Sequence, residues 1–155
     1  MPDEKPPRLV DDERATLLAL LDYQRDSLLR KVSGLDDAQA AVSPVASGTS
    51  LLWLVNHVAD AEATWVLRRF AAREVEIGDP AHAPSRDGAC ARYARIRGEV
   101  DAVIAASGLE DRCAPFDDQP TVNLRWILAH LLEETARHAG HADILRELID
   151  GATGR

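Results

Sequence analysis

Cysteine, basic charge and long apolar runs are all scarce in this chain, and each scarcity removes a class of protein. Its 155 residues include two cysteines, Cys90 and Cys113, far apart and without a CxxC partner. That pattern supports neither a disulfide framework nor a zinc ribbon, and both are expected to be ordinary thiols. Lysine and arginine total 18 against 26 acidic residues, a formal charge of -8. A chain so acidic repels nucleic-acid backbones and anionic membranes unless its basic residues cluster, and they do not. No apolar run approaches the roughly 20 residues of a membrane span, and the opening MPDEKPPR lacks the charged-then-apolar layout of a secretory signal. A cytoplasmic protein without nucleic-acid or membrane partners is expected.

Aromatic residues are also few: two Phe, two Tyr and three Trp. Alanine, leucine, valine and isoleucine supply the apolar fraction instead, a mixture that favours helices over sheets. The length suits one domain able to bury a true core. Residues 1–10, with Pro6 and Pro7, are expected to be a disordered lead-in, and 11–151 a single helical unit.

Apolar spacing predicts four long helices. The first spans about Asp11 to Val32, with Leu17, Leu21, Leu28 and Val32 on one face and Gly34 ending it. A short turn that could be helical follows at Leu35 to Ala41. The SPVASGTS stretch then supplies a loop and a cap at Thr49 or Ser50. The second helix spans Leu51 to about Arg73, and EIGDPAHAPS after it reads as exposed loop, His82 included. The third spans about Asp87 to Ala106, with Tyr93, Ile96, Val100 and Val103 as its core stripe and Gly108 as its stop. The last begins at Thr121 to Asn123 and ends by Gly151. Four such helices bury their stripes together as an all-α antiparallel four-helix bundle. The loops before the second and last helices are long for a minimal bundle and are candidates to shape a pocket.

Polar groups interrupt the apolar face of the last helix. At about 100° per residue, Ile127, His130, Leu131, Glu134, His138, His141, Ala142, Leu145, Leu148 and Ile149 fall within an arc of roughly 120°. A carboxylate buried there without a partner costs several kcal/mol. On the second helix His57 shares a face with Trp53, Leu54, Ala61 and Trp65. Taken alone, His57 is more often a core histidine bonded to a carbonyl, and Glu134 with His138 could be a structural ion pair. Together they are the raw material of a divalent-metal site, with imidazole and carboxylate converging from facing helices. His57, Glu134 and His138 are therefore the candidate ligands. His130 and His141 are candidates to ligate or to support a ligand by a hydrogen bond, and Asp60 and Glu62, near His57, could supply a supporting hydrogen bond, though charged residues on a helix are more often solvated or structural.

The segments SGTSLLWLVNHVADAEATW and LRWILAHLLEETARHAGHADILRELIDG resemble the DinB-like superfamily, most closely its mycothiol-transferase branch, over nearly the whole chain. The resemblance implies a four-helix bundle in which one histidine of the second helix and two residues of the last bind zinc or nickel, commonly in a homodimer. The superfamily's usual last-helix motif is HxxxH before an arginine-like position and glycine. Aligning that glycine with Gly140 makes His138 one ligand and puts Glu134 where the other histidine stands. A His-Glu-His set resembles that of mycothiol-dependent maleylpyruvate isomerases, and the alternative is that His141 ligates in place of Glu134. The implied activity is transfer of a mycothiol-like thiol, activated at the metal, to an electrophile. A metal-assisted hydrolase and a non-catalytic metal-binding stress-response protein are the competing readings. The homodimer also finds a motive in Val55, Val66, Leu67 and Phe70, which lie off the His57 face and are expected to need covering.

Overall fold

The computed structural model describes residues 5–10, 12–79, 82–115 and 120–154. Among these residues five α-helices follow in order: α1 (Glu13–Val32), α2 (Asp37–Ala41), α3 (Leu51–Glu62), α4 (Arg86–Ala105) and α5 (Leu124–Asp150). A π-helical segment, Ala63–Phe70, extends α3 without a break. Among the described residues the structure is otherwise irregular apart from one antiparallel bridge between Arg112 and Asn123.

Each helix starts where a short polar side chain can accept from the first-turn amides. Asp12 caps α1, Ser50 caps α3, Ser85 caps α4 and Asn123 caps α5, each accepting the backbone N–H three residues on. Asp36 and Gln39 form a reciprocal capping box that makes α2 helical despite its five residues. Asp11, the expected start of α1, lies outside the described residues. Gly34 and Gly151 turn left-handed after α1 and α5, at φ 78° and 76°, where an L side chain would be strained. Gly108 does not end α4 as expected. Ala106 caps that helix, and the Gly108 amide instead donates to the Asp111 carboxylate in the following turn.

The second long helix stops at Phe70 rather than near Arg73, and its last turns are wound differently from the expectation. The Ala71 amide donates to the Val66 carbonyl, five residues back. Such winding turns less per residue than an α-helix.

Leu21, Leu28, Leu54, Tyr93, Ile96, Ile127 and Leu131 form the middle of one continuous core. Helices α3 and α5 run antiparallel along a shared seam: Trp53 meets His138 near one end, and Trp65 meets Trp126 near the other. Two expectations fail here. Val55, Val66 and Leu67 are buried within the chain, because α1 and α4 cover the side of α3 and its π-helical extension away from α5, so they are no motive for a dimer. Leu148 is 57% exposed: it stands at the edge of the apolar arc, while Leu145 and Ile149 nearer its middle pack against the core. No helix among the described residues is long and apolar enough to cross a membrane.

Candidate metal centre

One turn of α5 places Glu134 and His138 on the same side of the helix, four positions apart, and α3 brings His57 across the seam to meet them. The Glu134 Oε1 atom lies 3.1 Å from His57 Nε2 and 3.1 Å from His138 Nε2. One donor atom from each of the three side chains lies within 4.8 Å of the other two. Ligands about 2.1 Å from a tetrahedral ion stand about 3.4 Å apart, close to the two 3.1 Å separations to Glu134, so the donor set is of the right kind and nearly of the right span for a divalent ion.

The surroundings prepare these donors. Burial opposes ionisation of Glu134, but hydrogen bonds and charge from His57 and His138 outweigh it and hold the carboxyl below its ordinary range. Burial, aided by the neighbouring His57 and His141 rings, also pushes His138 below the usual imidazole value, against the opposing pull of Glu134. At neutral pH the set therefore offers an ionised carboxylate and, at His138, a neutral ring. Ring orientation is fixed from outside the triad. Trp53 stacks on His57 with centroids 4.5 Å apart and planes 10° from parallel, while His138 Nδ1 shares a 3.3 Å hydrogen bond with His141 Nδ1. The His57 side chain keeps 34% of its surface, against 12% for His138, so the centre opens to solvent on the α3 side.

The other expected site residues are dispersed. His141 touches His138 but is itself exposed. It borders a cavity of about 280 Å³ lined also by Val45, Ser47, Thr49, Ile144 and Leu145, so the long loop before α3 does shape a pocket. His130 is one turn from Glu134 but outside the triad, stacked on Trp126.

Asp60 and Glu62 do not support His57. Asp60 faces α4 and the loop after the π-helical segment, accepting from the Gly78 amide at 2.9 Å and pairing with Arg92. Burial raises the Asp60 carboxyl, but its bonds to Arg92, His82 and Gly78 prevail and lower it. Glu62 is fully buried on another face, bound to Arg25 at 2.9 Å and accepting from the Tyr93 hydroxyl at 2.7 Å.

His82 is not solvent-exposed. Its Nε2 is 2.7 Å from Asp60 Oδ2 and its side chain retains 17% of its surface. A Pro-flanked loop suggested exposure, but Asn56, which exchanges hydrogen bonds with the Ala83 backbone, pins the loop down onto α3. Trp126 escaped the sequence reading because it lies about 40° outside the core arc, beyond His130 at its edge. The signal was available in its spacing, since residues 126, 130, 134 and 138 recur every four positions.

A model of the mycothiol-S-transferase family matches residues 16–151 of this chain. A conserved protein from Enterococcus faecalis has a similar structure, with a TM-score of 0.60 at 18% identity, over 92% of this chain and 100% of that one. A DinB-like protein from Bacillus cereus does as well, with a TM-score of 0.66 at 14% identity, over 84% and 89% of the two chains. At these identities the likeness establishes the shared helical fold alone. A comparison with curated proteins finds no match.

Proposed function

The chain belongs to the mycothiol-S-transferase family, and from that membership we propose that it is a metal-dependent thiol transferase whose ion is held by His57, Glu134 and His138. The observation that carries this reading is the convergence of three donors, 3.1 Å apart in two pairs, from helices that have no other reason to bring a carboxylate between two imidazoles. A structural ion pair would need one imidazole, not two. A divalent ion bound there, zinc or nickel, supplies a Lewis acid that brings the pKa of a thiol into the range of neutral solution.

The remaining work falls to the chain's own side chains. Glu134 contributes the single negative charge of the donor set, so the centre retains net positive charge for an anionic sulfur. Trp53 and His141 hold the His57 and His138 rings in place, which preserves donor geometry as substrates exchange. The cavity beside His141 is lined by the apolar side chains of Val45, Ile144 and Leu145 and by the hydroxyl-bearing Ser47 and Thr49. It suits the carbon skeleton of an electrophile, with water displaced from the apolar wall and a polar group met by a hydroxyl.

Elemental analysis combined with a thiol-transfer assay tests the reading. The expected result is close to one divalent ion per chain, and consumption of mycothiol by an alkylating electrophile that a chelator abolishes and added metal restores. Protein that neither carries nor regains metal overturns it. Turnover of an ester in the absence of any thiol would favour the hydrolase instead.

A further inference from the structure

The seam between α3 and α5 continues beyond the triad into a second cluster of rings. Trp126 stacks on His130 with centroids 5.0 Å apart and planes 17° from parallel. The Trp65 ring meets both, at 5.0 Å from Trp126 and 4.7 Å from His130. Trp126 is 45% exposed, an unusual degree for a ring that carries so much apolar surface. One face lies on His130, and what that contact and Trp65 leave uncovered is a large exposed part of the indole. Charged groups edge this ledge: the Arg69 guanidinium carbon lies 4.2 Å from the centre of the Trp65 ring, and Glu133 lies 3.9 Å from His130 Nδ1.

From this arrangement, and resting on the transferase reading above, we propose that the Trp126–His130–Trp65 ledge binds the sugar portion of a glycosylated thiol. A saturated sugar ring presents C–H groups from its faces and hydroxyls from its rim. A flat aromatic surface bordered by charged hydrogen-bonding groups matches both. The apolar cavity on the opposite side of the triad lacks such a platform and is the better place for the electrophile.

The distances along α5 agree with this division. His130 is one turn from Glu134, about 6 Å, and Trp126 is two turns away, about 12 Å. In mycothiol an N-acetylcysteine is joined by an amide to glucosamine, which carries an inositol. Five bonds separate the sulfur from the glucosamine ring, roughly 6 Å when extended. A thiol whose sulfur lies at the triad therefore reaches His130 and Trp65 with its first ring and Trp126 with its second. A simple aminothiol would leave the ledge empty.

The test uses the full chain and a probe without sulfur. Glucosaminyl-inositol binding is followed by saturation-transfer NMR in the unmodified protein, in Trp126→Ala and in Trp126→Phe. The exposed position of Trp126 makes both variants compatible with folding, which a thermal melt checks. The expected result is saturation of the sugar protons in the unmodified protein, binding weakened about five- to tenfold in Trp126→Ala, and binding largely kept in Trp126→Phe. Turnover of N-acetylcysteine and metal content should be the same in all three. No binding of the probe, or binding that Trp126→Ala leaves intact, overturns the ledge even where mycothiol turnover is normal. Probe binding that is lost in Trp126→Ala, in a protein that transfers no thiol, leaves the ledge standing and refutes the transferase reading instead.

Discussion

At the scale of single residues, the centre depends on one oxygen. Glu134 Oε1 is the point where both imidazoles meet, and the carboxylate is the one charged donor. Glu134→Gln keeps the shape and removes the charge, so zinc affinity should fall by more than the roughly 10- to 100-fold typical of a supporting residue. His141 contacts the far nitrogen of His138 rather than the gathering point of the donors. His141→Ala should therefore stay within that 10- to 100-fold range. Competition with a chromogenic chelator measures both. A near-normal Glu134→Gln beside a metal-free His141→Ala would transfer the ligand role to His141.

At the scale of elements, the loop between the π-helical segment and α4 is latched to α3 through Asp60. Its carboxyl, lowered in the folded protein by Arg92, His82 and Gly78 against the cost of burial, binds a proton less readily than in the unfolded chain. The stability it contributes is thus fully present above the ordinary value of 3.8 and is lost as pH falls through the lower folded value. Asp60→Asn should cost about 1–3 kcal/mol near neutrality, the range for losing hydrogen bonds to charged partners. The gap between the two proteins should close below about pH 4. Thermal melts of both proteins between pH 2.5 and 7 show the convergence or its absence. Metal content should be unaffected near neutrality, because Asp60 faces away from His57.

At the scale of the whole molecule, the polar ties between helices differ in chemistry, as the core network and the triad show. Arg25 of α1, Glu62 of α3 and Tyr93 of α4 meet in the core, with Asp22 and Asp101 each 2.9 Å from Arg25 at its edge. Glu62→Gln leaves the buried guanidinium short of countercharge, and unfolding in urea should show a loss of about 3 kcal/mol. Tyr93→Phe, which removes one hydrogen bond to Glu62, should cost about 1–2 kcal/mol. The second tie is the triad, which joins α3 to α5 through the His57–Glu134 contact and would do so more strongly with a shared ion. Zinc at about 100 times its Kd should stabilise by about 2.7 kcal/mol and raise Tm by about 5–10 °C. Because the apolar core is continuous without the triad, chelation should lower Tm without unfolding the chain.

The sequence by itself determined whatever depends on local spacing. The periodic leucines, valines and alanines, the caps at Ser50 and Asn123 and the glycines at 34 and 151 specify helices and their ends, because these effects act within one or two turns. It also placed His57, Glu134 and His138 on inward faces, since a polar group inside an apolar stripe is visible from its own helix. Only the tertiary structure decided which polar groups share a space. Asp60 and Glu62 are next to His57 along the chain, yet α-helical rotation sends each to a different neighbour, Asp60 to Arg92 and His82, Glu62 to Arg25 and Tyr93. His82 carries no local mark of burial, because the Asn56 and Asp60 contacts that hold its loop come from residues more than twenty positions earlier. The burial of Val55, Val66 and Leu67 was hidden for the same reason: a helix's pattern shows that a face is apolar, but only the packing of the other helices shows what covers it.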